Sequence, residues 1–413
     1  MKLLILTQYF PPEVGAPQNR LFELALRLKK KGIDVEVLTA MPNYPKMEIM
    51  EGYKGKNYVE QEIEGLKVKR TRIYVSKDKT IVKRLRNYFS FMFSSLWYGI
   101  WKVGRKDVLM VESPPLFLGI TAFILSRLKG AKMVFNVSDL WPESAEKLDI
   151  IHNKFLLRMA TLLEEFLYKK SALVSGQTQG IVKNIKTRFP NKRVYWLKNG
   201  VDINFYDVNK QLNLSFRKSN GFKEDDFILF YGGIIGYAQG LEVILKAAKS
   251  LEKNNKMKFV LLGSGPEKER LLNMKEDMKI NNVFFFDAVA KSKMQEIIME
   301  MNATIIPLKR LDLFKGAIPS KIFENLALKK PIILGLEGEA KELFIEQGKC
   351  GVSFIPEDSE DLVDKIEYIY NNKEKAQQMG ENGLIYARDN FNRDTIAEDF
   401  YVVLQSIIDK KKE

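Results

Sequence analysis

The chain has 413 residues, of which 46% are hydrophobic, 29% charged and 11% aromatic. That composition excludes disorder or low complexity as the main theme, and the length favours two domains over one core. A single cysteine, Cys350, and a single histidine, His152, exclude a disulfide framework and a Cys/His zinc site, while the net charge of +14 predicts an anionic partner: nucleic acid, lipid headgroups or a phosphorylated substrate.

The first predicted element is a strand, Leu3–Thr7, and the run Lys2–Gln8 carries no secretory-signal pattern. Further strands are predicted at Val35–Thr39, Val108–Val111, Met133–Val137, Ala172–Ser175 and Val194–Leu197. Amphipathic stretches separate them. One is Asn19–Lys31, where Leu21, Leu24, Leu26 and Leu28 lie among charges. Residues Tyr58–Val75 alternate and read as a hairpin or edge strands. The fifteen residues Asn87–Trp101 carry no charge and are too few for a membrane span. Lys83, Arg84 and Arg86 precede them, and Lys102, Arg105 and Lys106 follow. Aromatics beside cations suit a bilayer interface, so Arg84, Arg86, Trp97 and Trp101 are candidate membrane or acceptor contacts. A buried core helix with solvated ends has the same pattern.

A polar segment, Asp202–Asp225, reads as a linker. Alternation restarts with strands at Phe227–Tyr231, Phe259–Leu262, Val283–Phe286, Ala303–Ile306, Ile332–Leu334 and Gly351–Phe354. The last helix is predicted over Thr395–Ile408, before Lys410, Lys411 and Lys412. Strand–helix alternation in both halves predicts an α/β protein with two doubly wound domains. Ligands of such sheets sit at the carboxyl ends of the strands.

Five segments carry candidate chemistry. In the loop after the first strand, Gly15 permits close backbone approach and Pro17 suits a first helical turn whose amides favour an anion. An ordinary Pro/Gly loop has the same composition. Asp139, in Ser138-Asp139-Leu140-Trp141-Pro142-Glu143, is placed to accept a proton or a sugar hydroxyl, or to cap the helix that Pro142 opens. Two glycine turns, Gly232-Gly233-Ile234-Ile235-Gly236-Tyr237-Ala238-Gln239-Gly240 and Gly263-Ser264-Gly265-Pro266-Glu267, each follow a strand, and two in one domain argue for a nucleotide diphosphate. In Pro319-Ser320-Lys321-Ile322-Phe323-Glu324, Ser320 and Pro319 suit a helix start, Lys321 adds a point charge for phosphate, and Glu324 suits ribose hydroxyls. An exposed i,i+3 ion pair is the competing reading of Lys321 and Glu324.

These residues, in this order, resemble glycosyltransferase family 4 with the GT-B architecture. The resemblance rests on the Gly15 loop, Lys198-Asn199-Gly200-Val201-Asp202, both glycine turns and the Ser320–Glu324 helix start. Gln8-Tyr9-Phe10-Pro11-Pro12-Glu13, Ser113-Pro114-Pro115-Leu116, Asp139-Leu140-Trp141-Pro142-Glu143 and Gly236-Tyr237-Ala238-Gln239-Gly240 are similar to the WbuB-like branch of O-antigen and capsule enzymes, which includes N-acetyl-L-fucosamine transferases. The resemblance implies two Rossmann-like domains facing a cleft: residues 1–200 for the acceptor and 201–390 for a nucleotide sugar. A terminal helix, 391–413, would pack back on the first domain. It implies retaining transfer from a UDP-sugar to a polyprenyl-diphosphate-linked sugar, with Asp139 and Lys321 catalytic. Gly15, Gly233, Gly236, Gly263, Ser320, Lys321 and Glu324 would bind the donor. It further implies peripheral attachment to the anionic cytoplasmic face of the membrane.

Two departures from the family pattern stand out. The first acid of its Glu-x7-Glu is Gly316 here, and the cations of its glycine turn are Ile234 and Gln239. Lys321 is the candidate replacement cation. No Asp-x-Asp occurs, so neither an essential metal nor another cofactor is expected. His152 is assigned no role. A UDP-sugar 2-epimerase of the same architecture calls for histidines and several carboxylates as acids and bases, and a single histidine weighs against it. A nucleic-acid binder would account for the charge, but no recognised module supports it, so nucleic acid is not an expected partner.

Overall fold

In the computed structural model the described residues are 1–409 without 14, 79, 144–152 and 213, the side chain of Ala16 also being left out. His152, the lysines at 410–412 and most of the segment after Pro142 therefore lie outside the described residues. The chain divides into two compact units: Met1–Asn199 with Arg393–Glu413, and Gly200–Asn392.

The first unit is built on an eight-stranded sheet of order β3-β4-β2-β1-β5-β6-β7-β8. Its strands are β1 (Lys2–Leu6), β2 (Asp34–Ala40), β3 (Tyr58–Ile63), β4 (Leu66–Thr71), β5 (Val108–Ser113), β6 (Lys132–Val137), β7 (Leu173–Gly176) and β8 (Val194–Trp196). All pairs are parallel except β3 with β4, the hairpin of the alternating segment. Leu3, Leu4, Ile5 and Leu6 are all fully buried because helices cover both faces of the sheet. Leu4 and Leu6 face a core shared with the helices Ile81–Lys102, Leu118–Lys129 and Lys154–Lys170. Leu3 and Ile5 face the opposite core, shared with Ala16–Lys30 and the last helix, Arg393–Asp409. That last helix buries Ile396, Phe400, Leu404 and Ile407, one stripe of a 3.6-residue period. Arg27 pairs with Asp394 at 2.6 Å at its start.

The helix Ile81–Lys102 satisfies neither sequence reading alone. Its buried face is small and polar, with Ser94, Ser95 and Gly99 beside Phe91 and Met92. A side chain at Gly99 would run into Leu125 of the neighbouring helix. Three of its large aromatics point away from this face: Phe93 is 63%, Trp97 62% and Trp101 70% exposed. No helix among the described residues is long and apolar enough to cross a membrane.

The second unit holds six parallel strands in the order β11-β10-β9-β12-β13-β14. They are β9 (Phe227–Gly232), β10 (Met257–Leu262), β11 (Val283–Phe286), β12 (Ala303–Pro307), β13 (Ile332–Gly335) and β14 (Gly351–Ser353). The order reverses between β9 and β12, the switch point where such sheets open a crevice. The segment expected to be a linker is instead folded into this unit. Phe216 packs on Phe286 and Phe222 on Phe284, each at 5.0 Å between ring centres, and the Glu300 carboxylate accepts the Phe216 and Arg217 N–H groups at 2.7 and 2.9 Å. Two aromatic anchors outweigh the polar composition around them.

Candidate functional site

At the switch point of the second unit the loops after β9 and β10 bond to each other along their backbones. Gly233 N–H donates to Leu262 O at 2.9 Å and Ile235 N–H to Ser264 O at 2.9 Å. A side chain at Gly263 would strike the Gly233 carbonyl, and one at Gly265 the Ile235 carbonyl. The glycines of the second turn are therefore explained by loop-to-loop packing. Gly233 has φ 138, in the region that favours glycine. A Cβ there would lie 3.0 Å from Lys321 Nζ, so the glycine and the ammonium occupy one place. Gly236 starts the short turn Tyr237–Gln239.

Lys321 opens the helix Lys321–Ala327, directly after Ser320. Phe323 anchors that helix against Phe344 and Phe391, at 5.6 and 5.1 Å between ring centres. Buried Asn325 sets its rotation. Thr304 Oγ1 of β12 donates to Asn325 Oδ1 at 2.6 Å, and Asn325 Nδ2 donates to Lys321 O at 2.8 Å. Lys321 Nζ is thus held 3.9 Å from the centre of the Tyr231 ring. The Tyr231 hydroxyl in turn donates to Ile234 O at 2.5 Å. Burial lowers the Lys321 pKa from 10.5 to about 7, and the Glu324 carboxylate acts in the opposite direction.

A second cation reaches the same loops. Lys309, two residues beyond β12, lays its Nζ 3.5 Å from the centre of the Tyr237 ring, and its N–H donates to Ala238 O at 2.9 Å. Gly240, at φ 56, leaves room for the Lys309 stem. Ile234 and Gln239 offer no charge, so the positive charge at the β9 turn comes from Lys321 and Lys309 across the switch point. Lys309 was missed in the sequence because nothing local marks it; only the β9–β12 pairing brings it there. Gly316 is exposed with open space where a side chain would stand, and it supplies no carboxylate.

The other candidates lie in the first unit. Gly15 precedes the helix Ala16–Lys30, and the Gln18 carboxamide fills the space of a Gly15 side chain. Asp139 is exposed, two residues past β6, and its carbonyl accepts the Trp141 N–H at 3.0 Å. Beneath it lies a buried polar cluster that the motifs did not reveal. Arg20 pairs with Glu112 at 2.6 Å, with side chains 7% and 6% exposed. Arg20 also donates to Ser138 Oγ at 2.8 Å, and Asn136 Nδ2 donates to Glu112 Oε2 at 2.6 Å. Arg20 Nη1 and Gln18 Oε1 are buried without a partner among the described residues. Arg84, Arg86, Trp97 and Trp101 are exposed on the helix Ile81–Lys102. The structure therefore gathers Gly233, Gly236, Gly263, Ser320, Lys321 and Glu324 in one unit. Gly15 and Asp139 stand at the carboxyl end of the other unit's sheet.

Residues 15–200 match the family described as glycosyl transferase 4-like domain, and residues 214–385 match glycosyl transferases group 1. Among curated relatives, "Putative colanic acid biosynthesis glycosyl transferase WcaI" of Escherichia coli K12 is 25% identical over 345 residues, covering 79% of this chain and 81% of its own. "O-antigen chain mannosyltransferase C" of Escherichia coli is 22% identical over 265 residues, covering 64% and 68%. Among solved structures, Anabaena Alr3699/HepE in complex with UDP and glucose is similar with a TM-score of 0.71 at 17% identity, over 98% of this chain and 100% of that one.

Proposed function

We propose that this chain, a glycosyltransferase with a 4-like domain and a group 1 domain in the GT-B architecture, moves a sugar from a UDP-sugar to a lipid-diphosphate-linked acceptor in cell-surface polysaccharide synthesis. The names of its colanic acid and O-antigen relatives support the pathway class. The UDP in the similar Anabaena structure supports the nucleotide. The finer reading, from the sequence resemblance, is the WbuB-like branch with an N-acetylated deoxyhexosamine donor and retention at the anomeric carbon.

One observation carries the donor site: the Lys321 ammonium held at Gly233 on the face of Tyr231. In this reading the diphosphate lies against the β9 turn, and Lys321 and Lys309 balance the charge that grows on it as the bond to C1 breaks. Those two ammonium groups do the work often given to a metal, so no essential metal or other cofactor is required. Glu324, one turn along the helix, accepts the ribose hydroxyls, and Ser320 and the backbone at Gly233, Gly236 and Gly263 line the diphosphate. For retention the acceptor hydroxyl enters C1 from the face that UDP leaves, UDP departing as the new bond forms, and the hydroxyl proton passes to Asp139, the proposed base of the acceptor-binding unit. Trp97 and Trp101, with Arg84 and Arg86, rest on an anionic membrane surface. Phe155, Met159 and Leu162 are also exposed, on another helix over the same sheet face.

Thermal shift with UDP, GDP and ADP in the presence of EDTA tests the donor reading. UDP at a hundred times its dissociation constant stabilises by about 2.7 kcal/mol, and Lys321→Ala should abolish most of that shift. A larger shift with GDP or ADP, or an unchanged UDP shift in the variant, overturns it.

A further inference from the structure

We infer that the first unit seats a whole layer of three helices on an anionic bilayer, with the helix Lys154–Lys170 lying in that surface beside Ile81–Lys102 and Leu118–Lys129 between them. The inference rests on the membrane contact proposed above for Trp97 and Trp101, and it gives a partner to apolar residues that no motif singled out.

The three helices are joined side by side. Thr121 Oγ1 donates to Met92 O at 2.9 Å, and Lys129 Nζ donates to Ile100 O at 2.6 Å, which ties the middle helix to the first. Phe123 packs on Phe166 at 5.0 Å between ring centres, and Leu167 fills the space of a Gly119 side chain, which ties the middle helix to the third. At the usual spacing of packed helices the two outer axes lie about 20 Å apart.

The third helix is apolar on both sides. Ala160, Leu167 and Tyr168 are buried. Phe155, Met159, Leu162 and Phe166 are exposed, and their spacings of four, three and four residues put them on one stripe opposite the buried side. A helix that met only water there would carry polar residues on that stripe. Leu128 is exposed on the middle helix, and Phe93, Trp97 and Trp101 on the first.

Charge marks the same layer. Its helices carry ten lysines and arginines against two acids, Glu164 and Glu165, which face Arg188 at 2.5 and 3.9 Å. The helices on the opposite face of the same sheet, Ala16–Lys30 and Arg393–Asp409, carry five residues of each sign. Arg127 lies over the Phe123 ring at 5.4 Å and Lys170 over the Phe166 ring at 6.0 Å, so cations and rings are interleaved. That combination complements anionic headgroups above acyl chains. A second copy of the chain would oppose like charges across the contact. Nucleic acid would meet the charge and leave the apolar stripe in water.

The seat also sets the height of the acceptor edge. Asn87, near the start of the first helix, bonds to Gln8 just past β1, and Phe89 meets Phe117, just before the middle helix, at 4.8 Å. Phe117 in turn meets Trp141, two residues beyond Asp139, at 5.6 Å. The helices therefore start at the strand ends that carry Gly15 and Asp139, and the sheet runs along the bilayer one helix diameter, about 10–12 Å, above it. An acceptor held at the lipid surface reaches that edge.

The full chain is floated with phosphatidylcholine vesicles that contain phosphatidylglycerol. Phe155→Ser with Met159→Ser and Leu162→Ser leaves Trp97 and Trp101 in place and should weaken binding at least roughly tenfold. The UDP thermal shift and the near-ultraviolet circular dichroism should stay as in the parent chain and show that both units are folded. Met159→Cys carrying an environment-sensitive dye should shift its emission to the blue on these vesicles, while the same dye at Val402→Cys, exposed on the opposite face, should not. Cys350 is buried and takes no label. Parent-like binding by the triple variant, a silent dye at 159, or an equal shift at 402 overturns the three-helix seat and leaves the contact at Trp97 and Trp101 standing. Failure of the parent chain to bind at low salt overturns both. A dimer in sedimentation velocity that the triple substitution abolishes assigns the stripe to a second copy and overturns the bilayer.

Discussion

Lys321 carries a proton that is easily lost, because its ammonium is buried beside a tyrosine ring with only Glu324 opposing the shift. The ammonium is the form that neutralises a diphosphate, and it predominates below about pH 7. The kcat/KM for the nucleotide sugar should therefore fall as pH rises through that value, since this ratio reports the free enzyme. Lys321→Ala should lower it at least roughly tenfold and flatten that limb of the profile. For stability the sign is reversed. The unfolded chain keeps the proton up to 10.5 while the folded chain loses it near 7, so this group's contribution rises with pH across that window. Asn325 acts on the same lysine through the backbone. Asn325→Ala leaves the buried Thr304 hydroxyl without its acceptor and should cost about 1–3 kcal/mol in urea denaturation, and adding Thr304→Val should recover part of it. The Ser320-Lys321-Glu324 pattern was legible in the sequence because it is local. Lys309 and Asn325 were not, because their partners on the β9 turn and on β12 are distant in the chain.

The helix Ile81–Lys102 shows how an element is read correctly in part. Its aromatics and flanking cations were visible as composition, but which side faced the core was not. Hydrophobicity alone would have buried the tryptophans, whereas the buried face holds Ser94, Ser95 and Gly99 beside Phe91 and Met92 instead. Small residues let the helix lie close to its neighbours, and the rings are left outside. Trp97→Ala with Trp101→Ala should reduce binding to anionic vesicles in a flotation assay yet change the melting temperature little, because exposed substitutions usually stay within about 0.5 kcal/mol. The last helix behaves in the opposite way. Ending the chain after Asn392 removes Ile396, Phe400 and Leu404 from the core of the first unit. Each such loss costs about 2–5 kcal/mol, so the truncated chain should lose the near-ultraviolet circular dichroism of a packed first unit.

For the whole molecule, charge and donor chemistry separate by unit. UDP should slow amide hydrogen exchange in the loops after β9 and β10 and around Lys321, and leave the helix Ile81–Lys102 unchanged; protection confined to the first unit would contradict the donor assignment. The +14 net charge was compatible with nucleic acid, membrane or phosphorylated substrate, and composition had no means of choosing among them. The sequence by itself determined the alternation of strands and helices, the two parallel sheets and the glycine turns. Each of these is written in neighbouring residues, through side-chain period and backbone freedom. Only the tertiary structure decided that Asp202–Asp225 is anchored by two phenylalanines, that Lys309 joins Lys321 beside the β9 turn, and that the tryptophans face outward. Those outcomes depend on which distant surfaces meet, and pairing energies between residues far apart in the chain leave no local pattern to read.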